Sequence, residues 1–295
     1  MKTCIAICAC DRPEWLRELL SALTRLSGGQ EFEVIIVDNG GRDVFEVVKE
    51  FIDSVIIHYR RLDPAGLSAA RNESLRIGRD LGCSHMAFID DDEVPTPTWL
   101  SELVRTARKE NADIVYGTVL PDPNAYMPEW LKSSGLLEQF GMHHGTNNLY
   151  LRLACLPNLE TEWFREVFAF TGGEDYEFLT RLSDSGAVVA KAEKAVVFEK
   201  VPLDRTTPRY FFVNRGLRDG VVAVQIAQLK HSHFLPFYWH CVMQVFAKFG
   251  YGLNHLFWAP TANWRIVRAG MDFYTAAGII LRLGGMKFHF YGSRN

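Results

Sequence analysis

The chain has 295 residues, of which 48 % are apolar and 23 % charged, and its net charge is −3. That length allows one large or two modest domains with a sizeable core, and the composition excludes disordered and collagen-like classes. The near-neutral balance gives no case for nucleic-acid binding, and no apolar run reaches the ~18 residues of a simple transmembrane span.

Taken in chain order, Cys4–Ala9 reads as a buried strand entered almost directly from Met1, with no secretory leader expected. Pro13 opens a helix with Trp15, Leu16, Leu19, Leu20 and Leu23 at helical spacing. Phe32–Val37, rich in Val and Ile, reads as a second strand, broken by the turn residues Asp38-Asn39-Gly40-Gly41. Val44–Ile52 is expected to be helical, Val55–Tyr59 extended, Ser68–Leu81 helical and Met86–Ile89 a strand that ends in acids. Thr98 is placed to cap a helix over Trp99–Asn111, with Glu102 near its start. Ile114–Thr118 is the next strand, Pro121–Pro128 a surface loop, and Asn148–Arg152 a further strand. Gly172-Gly173-Glu174-Asp175 leads into a helix over Tyr176–Ser185, followed by short extended runs at Val188–Ala190 and Val196–Phe198. Strands alternating with helices in this way predict an α/β fold, a mostly parallel sheet flanked by helices. The division expected is a sheet domain over 1–205 and a helical region over 206–295. The six cysteines are scattered without a C-x-x-C pair and read as reduced, mostly buried thiols of a cytoplasmic protein.

Four motifs could carry chemistry. Asp90-Asp91-Asp92-Glu93 follows an apolar strand, and in an extended chain Asp90 and Asp92 would share one side. Two hard oxygen ligands there suit Mg²⁺ or Mn²⁺ shared with a diphosphate; the alternative is a solvated acidic turn. Asp38, directly after the second strand, could accept hydrogen bonds from a base or ribose, or bond its own turn. Gly66 to Asn72 could bring a helix start and Arg71 to a phosphate, or serve only helix–sheet packing. Glu174 and Asp175 could supply a general base or merely favour a helix start. His143 and His144 lack the spacing of a metal site, though they could contact a substrate.

In this order, with Ile7-Cys8-Ala9-Cys10-Asp11-Arg12-Pro13 ahead of them and Gly145-Thr146-Asn147-Asn148 between them, the motifs resemble the family 2 glycosyltransferases of GT-A fold. The resemblance covers about residues 3–200 and looks strongest toward exopolysaccharide glucosyltransferases of the succinoglycan type. It implies a nucleotide site of Arg12, Asp38, Arg71, Asp90 and Asp91, and a divalent metal, Mn²⁺ or Mg²⁺, on Asp90 and Asp92. It further implies Asp175 as catalytic base with Glu174 beside it, and sugar contacts from Asn147, Asn148 and Gly173. The donor implied is a nucleotide sugar, UDP-glucose by default, and the acceptor a lipid-linked saccharide. Cys10 and Gly41 depart from the residues common in the family.

Residues 206–295 hold ten Lys and Arg against two acids, Asp219 and Asp272, so they carry +8 while the rest of the chain is acidic. Between His231 and Trp264 only Lys248 is fully charged among many aromatic rings. This pattern suits an interfacial region resting peripherally on the inner face of the cell membrane; the alternative is a helical subdomain packed over the sheet. Two other functions fit parts of the sequence. A sugar nucleotidyltransferase would need a Gly-rich first loop, which is absent, and a non-catalytic saccharide binder would not need both acid sets.

Overall fold

A computed structural model describes residues 2–40, 44–63, 65–138 and 144–290; Gly41 and His143 therefore lie outside the described residues. Among these, eight strands form one sheet: β1 (Thr3–Ala9), β2 (Phe32–Asp38), β3 (Ile57–Arg61), β4 (His85–Phe88), β5 (Glu93–Pro95), β6 (Ile114–Pro121), β7 (Leu149–Arg152) and β8 (Val189–Glu199). Their order is β3-β2-β1-β4-β7-β6-β8-β5. β1, β2, β3 and β4 run parallel, as do β6 and β8, while β7 and the short β5 pair antiparallel with their neighbours. The expected mostly parallel α/β sheet is therefore present.

Helices cover both faces. α1 (Pro13–Leu23), α2 (Phe45–Lys49) and α4 (Trp99–Glu110) close one core with the sheet, and α3 (Leu67–Asp80) and α6 (Glu174–Asp184) close the other. A short α5 (Glu129–Lys132) follows β6. In α1 the proline at the start fixes the first turn, and Leu16, Leu19, Leu20 and Leu23 face the sheet as their spacing requires. Thr98 does not cap α4 through its side chain; its carbonyl accepts the Glu102 N–H instead, and Asn111 ends the helix in the left-handed conformation.

The two extended runs expected around residues 188–198 are one eleven-residue strand, β8. The polar stretch Lys191-Ala192-Glu193-Lys194-Ala195 concealed its middle, where Ala192 and Ala195 are buried and small enough to pack under α4. Cys4 and Cys83 form a disulfide, contrary to the expectation of free thiols; β1 and the start of β4 are neighbours, which brings the two Cα atoms to 6.3 Å. Cys8, Cys10, Cys155 and Cys241 are free.

Beyond β8 a short 3₁₀ turn, Leu203–Thr206, leads to a π-helical segment, Tyr210–Leu217, and then to α7 (Arg218–Lys230), α8 (Phe234–Phe257) and α9 (Trp264–Leu283). α7 and α9 pack through backbone-close contacts: a Cβ on Gly220 would lie 2.1 Å from the Thr275 carbonyl oxygen. α8 is different. Along its 24 residues only Cys241 and Gly252 are buried. Leu235, Trp239, Val242, Met243, Phe246, Phe249, Leu253 and Phe257 are exposed, and their spacing places them on one broad face. No helix among the described residues is long and apolar enough to cross a membrane.

Candidate active site

Because β1, β2 and β4 are parallel, their carboxyl ends open at one edge of the sheet, where ligands bind in open α/β folds. Asp38 ends β2 there and is fully buried. Its carboxylate accepts hydrogen bonds from the Tyr59 hydroxyl (2.7 Å), Arg61 Nη1 (3.2 Å) and the Gly40 N–H (3.1 Å). Tyr59 and Arg61 are two residues apart on β3, so they share a face. Neither was expected at the site, because nothing in a single strand's sequence reveals which neighbour it pairs with.

The acids after β4 are held by two arginines. Arg12 Nη1 reaches both Asp91 Oδ1 (2.9 Å) and Asp92 Oδ2 (2.8 Å), and the guanidinium lies over the Trp15 ring at 5.0 Å. Asp91 also accepts the Cys10 N–H at 2.9 Å. Arg205, from the turn after β8, reaches Asp92 at 3.5 Å and Glu199 at 2.7 Å. The alternation expected of an extended chain does not hold: Asp91 and Asp92 occupy a turn, and the turn lets one guanidinium nitrogen serve both. Glu93 accepts the Asp90 N–H at 2.9 Å.

Burial and mutual repulsion leave Asp90, Asp91, Glu93 and Glu199 reluctant to ionise. Burial pushes Asp91 up to about 7, against the pull of Arg12. Burial likewise raises Asp90 to about 6, with Arg71 opposing and Asp92 and Asp175 adding. Glu199 rises to about 7 through burial and the charge of Asp92, and burial drives Glu93 well above the usual carboxylate range. The Asp90 carboxylate accepts no hydrogen bond from any described residue. A half-buried, unpartnered carboxylate beside Asp92 fits a hard divalent cation that draws its remaining ligands from a diphosphate. No group of three or more His, Cys, Asp and Glu among the described residues is arranged to hold a metal by itself.

The α3 start is bound into the protein. Gly66 N–H donates to Asn39 Oδ1 at 2.6 Å, and Asn72 exchanges hydrogen bonds with both the N–H and the carbonyl of Phe164. Arg71 is buried, pairs with Glu174 and lies against the Phe164 ring. Its charge still reaches Asp90. Glu174 is thus committed to Arg71. Asp175, half-buried next to it, receives the Tyr176 N–H on Oδ1 at 2.7 Å, and its charge is felt at both Asp90 and Tyr116. Gly173, at the N-cap of α6, has φ +91°, and a Cβ there would lie 2.4 Å from Val222 Cγ1 of α7. The glycine thus brings the helical region directly against the Asp175 turn.

Asn148 lies between these elements, fully buried. It accepts the Trp99 Nε1–H at 2.7 Å and donates to the carbonyls of Thr118 (2.9 Å) and Ala195 (2.8 Å). Its side chain therefore ties α4, β6 and β8 together, and all of it is engaged within the protein. Asn147, half-buried, is its neighbour in the same turn.

The sequence model of the family described as "Glycosyl transferase family 2" matches residues 4–166, more than half of the chain. Among curated proteins, the succinoglycan biosynthesis protein ExoM of Rhizobium meliloti is 27 % identical, covering 98 % of this chain and 96 % of its own. The glucosyl-dolichyl phosphate glucuronosyltransferase of Haloferax volcanii is 31 % identical over 59 % of this chain and 56 % of its own. Among solved structures, S. aureus TarS 1–349 in complex with UDP-GlcNAc superposes with a TM-score of 0.59 at 13 % identity, covering 97 % of this chain and 93 % of that one. That last likeness is one of fold.

Proposed function

The chain belongs to glycosyl transferase family 2, and from that premise we propose an inverting, divalent-metal-dependent hexosyltransferase that uses a nucleotide sugar. The donor proposed is a UDP-hexose, with glucose the default, and the acceptor a lipid-linked saccharide of bacterial surface-polysaccharide synthesis. The observation that carries this reading is the convergence of Asp38, Asp90, Asp92 and Asp175 at one edge of the sheet. The naming of one relative for succinoglycan biosynthesis and the UDP complexes of TarS support the acceptor and donor classes.

In this proposal Asp38 binds the nucleoside, its buried carboxylate held in place by the Tyr59 hydroxyl and Arg61. Asp91 positions Arg12 and the β1–α1 turn beside the diphosphate. A divalent cation on Asp90 and Asp92 would supply Lewis-acid neutralisation of the leaving nucleoside diphosphate. Asp175 takes the proton of the acceptor hydroxyl as its oxygen bonds to the anomeric carbon. The bond from that carbon to the diphosphate oxygen breaks with its electron pair leaving on the nucleotide, and a single displacement inverts the configuration. Glu174 and Arg71 fix the α6 turn that presents Asp175.

Residues 1–205 would form the catalytic domain and 206–295 the acceptor-associated region. The exposed face of α8 would rest on an anionic lipid surface at the inner face of the cell membrane. Support comes from its row of Leu, Trp, Met and Phe together with the +8 charge of the region.

Purified protein with UDP- and GDP-sugars, Mn²⁺ or Mg²⁺ and a bacterial lipid extract should release nucleotide from one donor only. Release should need metal and be lost in Asp175→Asn and Asp92→Ala. Turnover undiminished in Asp175→Asn would remove the base, and a protein that neither binds nor turns over any nucleotide sugar would overturn the reading.

A further inference from the structure

Both acids of the basic C-terminal region, Asp219 and Asp272, line one cavity of about 280 Å³ between α7, α8 and α9. Lys248, Tyr251 and His255 of α8 and Arg268 of α9 line it with them. That is room for a small polar group and several waters, each of which takes about 30 Å³. The transfer reaction draws on none of these side chains.

The charges around the cavity do not cancel. Asp272 pairs with Lys248 at 3.3 Å, and Asp219 meets Arg218 at 3.6 Å and also feels Arg215 and Lys248. Each carboxylate has its counter-charge, so neither is the open ligand that a metal cation needs. Arg268 is the charge left over. It is exposed at the cavity, and its guanidinium has no hydrogen bond, ion pair or ring contact with any described residue. Tyr251 is exposed too, and its hydroxyl has no partner among the described residues. His255 Nε2 lies 3.8 Å from Asp272, too far for a hydrogen bond.

These three side chains share one end of the cavity. Lys248 meets Asp272, and about two turns further along α8 the His255 ring lies 6.4 Å from the Trp264 ring, at the start of α9. The two helices therefore run antiparallel. Arg268 precedes Asp272 by one turn, about 6 Å along the axis, which sets it toward His255 and away from the Lys248–Asp272 pair. Two donors without an acceptor thus stand beside an imidazole that becomes a third on protonation. A guanidinium meets phosphate through paired N–H···O bonds, and three donors from two helices suit an anion with three terminal oxygens.

We infer that Arg268, Tyr251 and His255 form a binding site for a phosphate monoester, with Arg268 supplying the charge and the other two its orientation. The site needs neither the nucleotide nor the metal of the transfer reaction. Its ester belongs to a lipid headgroup or to a soluble phosphate. Lys248, Tyr251 and His255 occupy the side of α8 opposite Phe246, Leu253 and Phe257, and an interfacial helix carries its polar side at headgroup depth.

The test is equilibrium dialysis of the full chain against radiolabelled sn-glycerol 3-phosphate, with EDTA and without nucleotide. Binding should saturate at one site per chain. Arg268→Gln should raise the dissociation constant about tenfold and Tyr251→Phe about fivefold, whereas Arg268→Lys, which keeps the charge without the paired geometry, should fall between wild type and Arg268→Gln. Lys230→Gln removes the same charge away from the cavity and should change binding less than about twofold. A wild type that binds no glycerol 3-phosphate, or equal weakening in Lys230→Gln and Arg268→Gln, overturns the site. Vesicles of equal parts phosphatidylcholine and phosphatidic acid, compared with vesicles carrying phosphatidylglycerol instead, separate the two sources. A preference for phosphatidic acid that is lost in Arg268→Gln and kept in Lys230→Gln assigns the site to a lipid headgroup. Glycerol 3-phosphate binding with equal recruitment to both vesicles assigns it to a soluble ester. Failure of the site leaves the transferase reading untouched, because neither nucleotide nor metal enters the experiment.

Discussion

Replacing Glu174 with alanine isolates what the Arg71–Glu174 pair does. Arg71 and Glu174 are 6 % and 2 % exposed. Arg71 has no other hydrogen-bond partner among the described residues. Removing the carboxylate leaves the guanidinium buried without its hydrogen-bonded counter-charge, which typically costs about 3–5 kcal/mol. At about 2–4 °C per kcal/mol for a large domain, the melting temperature should fall by roughly 6–20 °C. The partner change Arg71→Met should cost a similar amount, since it strands Glu174. The double variant Arg71→Met/Glu174→Ala buries no charge and should recover at least half of the loss. Thermal melts of the four proteins in one buffer give the cycle. Additive losses in the double variant, or a Glu174→Ala protein that melts within a degree of wild type, would refute the pairing as the reason Glu174 is present. Glu174 would then have to be reconsidered as a group that meets substrate.

The remaining predictions use other parts of the site. Asp91 and Asp90 titrate near 7 and 6 in the fold, far above an unfolded carboxylate near 4, so between these limits the folded state holds more protons. Metal-free stability should therefore fall as pH rises from about 5 to 7.5, and melts across that range should show a shallower slope in Asp91→Asn. Asn148→Ala should lose about 2–4 kcal/mol in a urea melt, because Trp99 Nε1 and two buried carbonyls lose their partner together. Trp239→Ser/Phe246→Ser should cut co-sedimentation with vesicles containing anionic lipid by roughly tenfold while leaving the melting temperature within about 2 °C, since both side chains are exposed. Equal co-sedimentation of wild type and variant would move the lipid contact away from α8.

The parallel half of the sheet was legible because each strand carries its own signal: the continuous apolar runs Val34–Val37, ended by Asp38, and Met86–Ile89, ended by Asp90, cannot face water on either side. The carboxylates at the strand ends were legible for the same reason, since charge at such a place needs a counter-charge or a ligand. The sequence did not reveal which of these the structure supplies. Arg71 and Asn148 have the chemistry of ligand contacts, and the fold turns both inward, to Glu174 and to the Trp99, Thr118 and Ala195 groups. Those partners lie between 30 and 103 residues away, so no local pattern registers them. Tyr59, Arg61 and Arg205 were missed by the converse rule: they reach the site from β3 and from the turn after β8, segments with no motif of their own.

The same distinction bears on α8. A helix that must pack inside a protein shows a buried stripe, and α1 does so with four leucines. The sequence of α8 is richer in apolar residues, yet its fold buries only two of them, leaving the aromatic side outward. The alternative of an ordinary helical subdomain would make those rings core; Phe237 does pack against Val224, Ala227, Cys241 and Ile279, whereas Trp239, Phe246 and Phe257 stand exposed. Apolar surface of that extent on one helix needs an occupant. Asp272 neutralises Lys248, the one full charge on α8, so the helix itself adds little electrostatic attraction. The cations that would meet an anionic lipid must come from its flanks, from Lys230 before it and Arg265 and Arg268 after it. Charge reversal at those three positions should therefore make vesicle binding weaker and less dependent on anionic lipid, whereas reversal at Lys248 should leave that dependence intact.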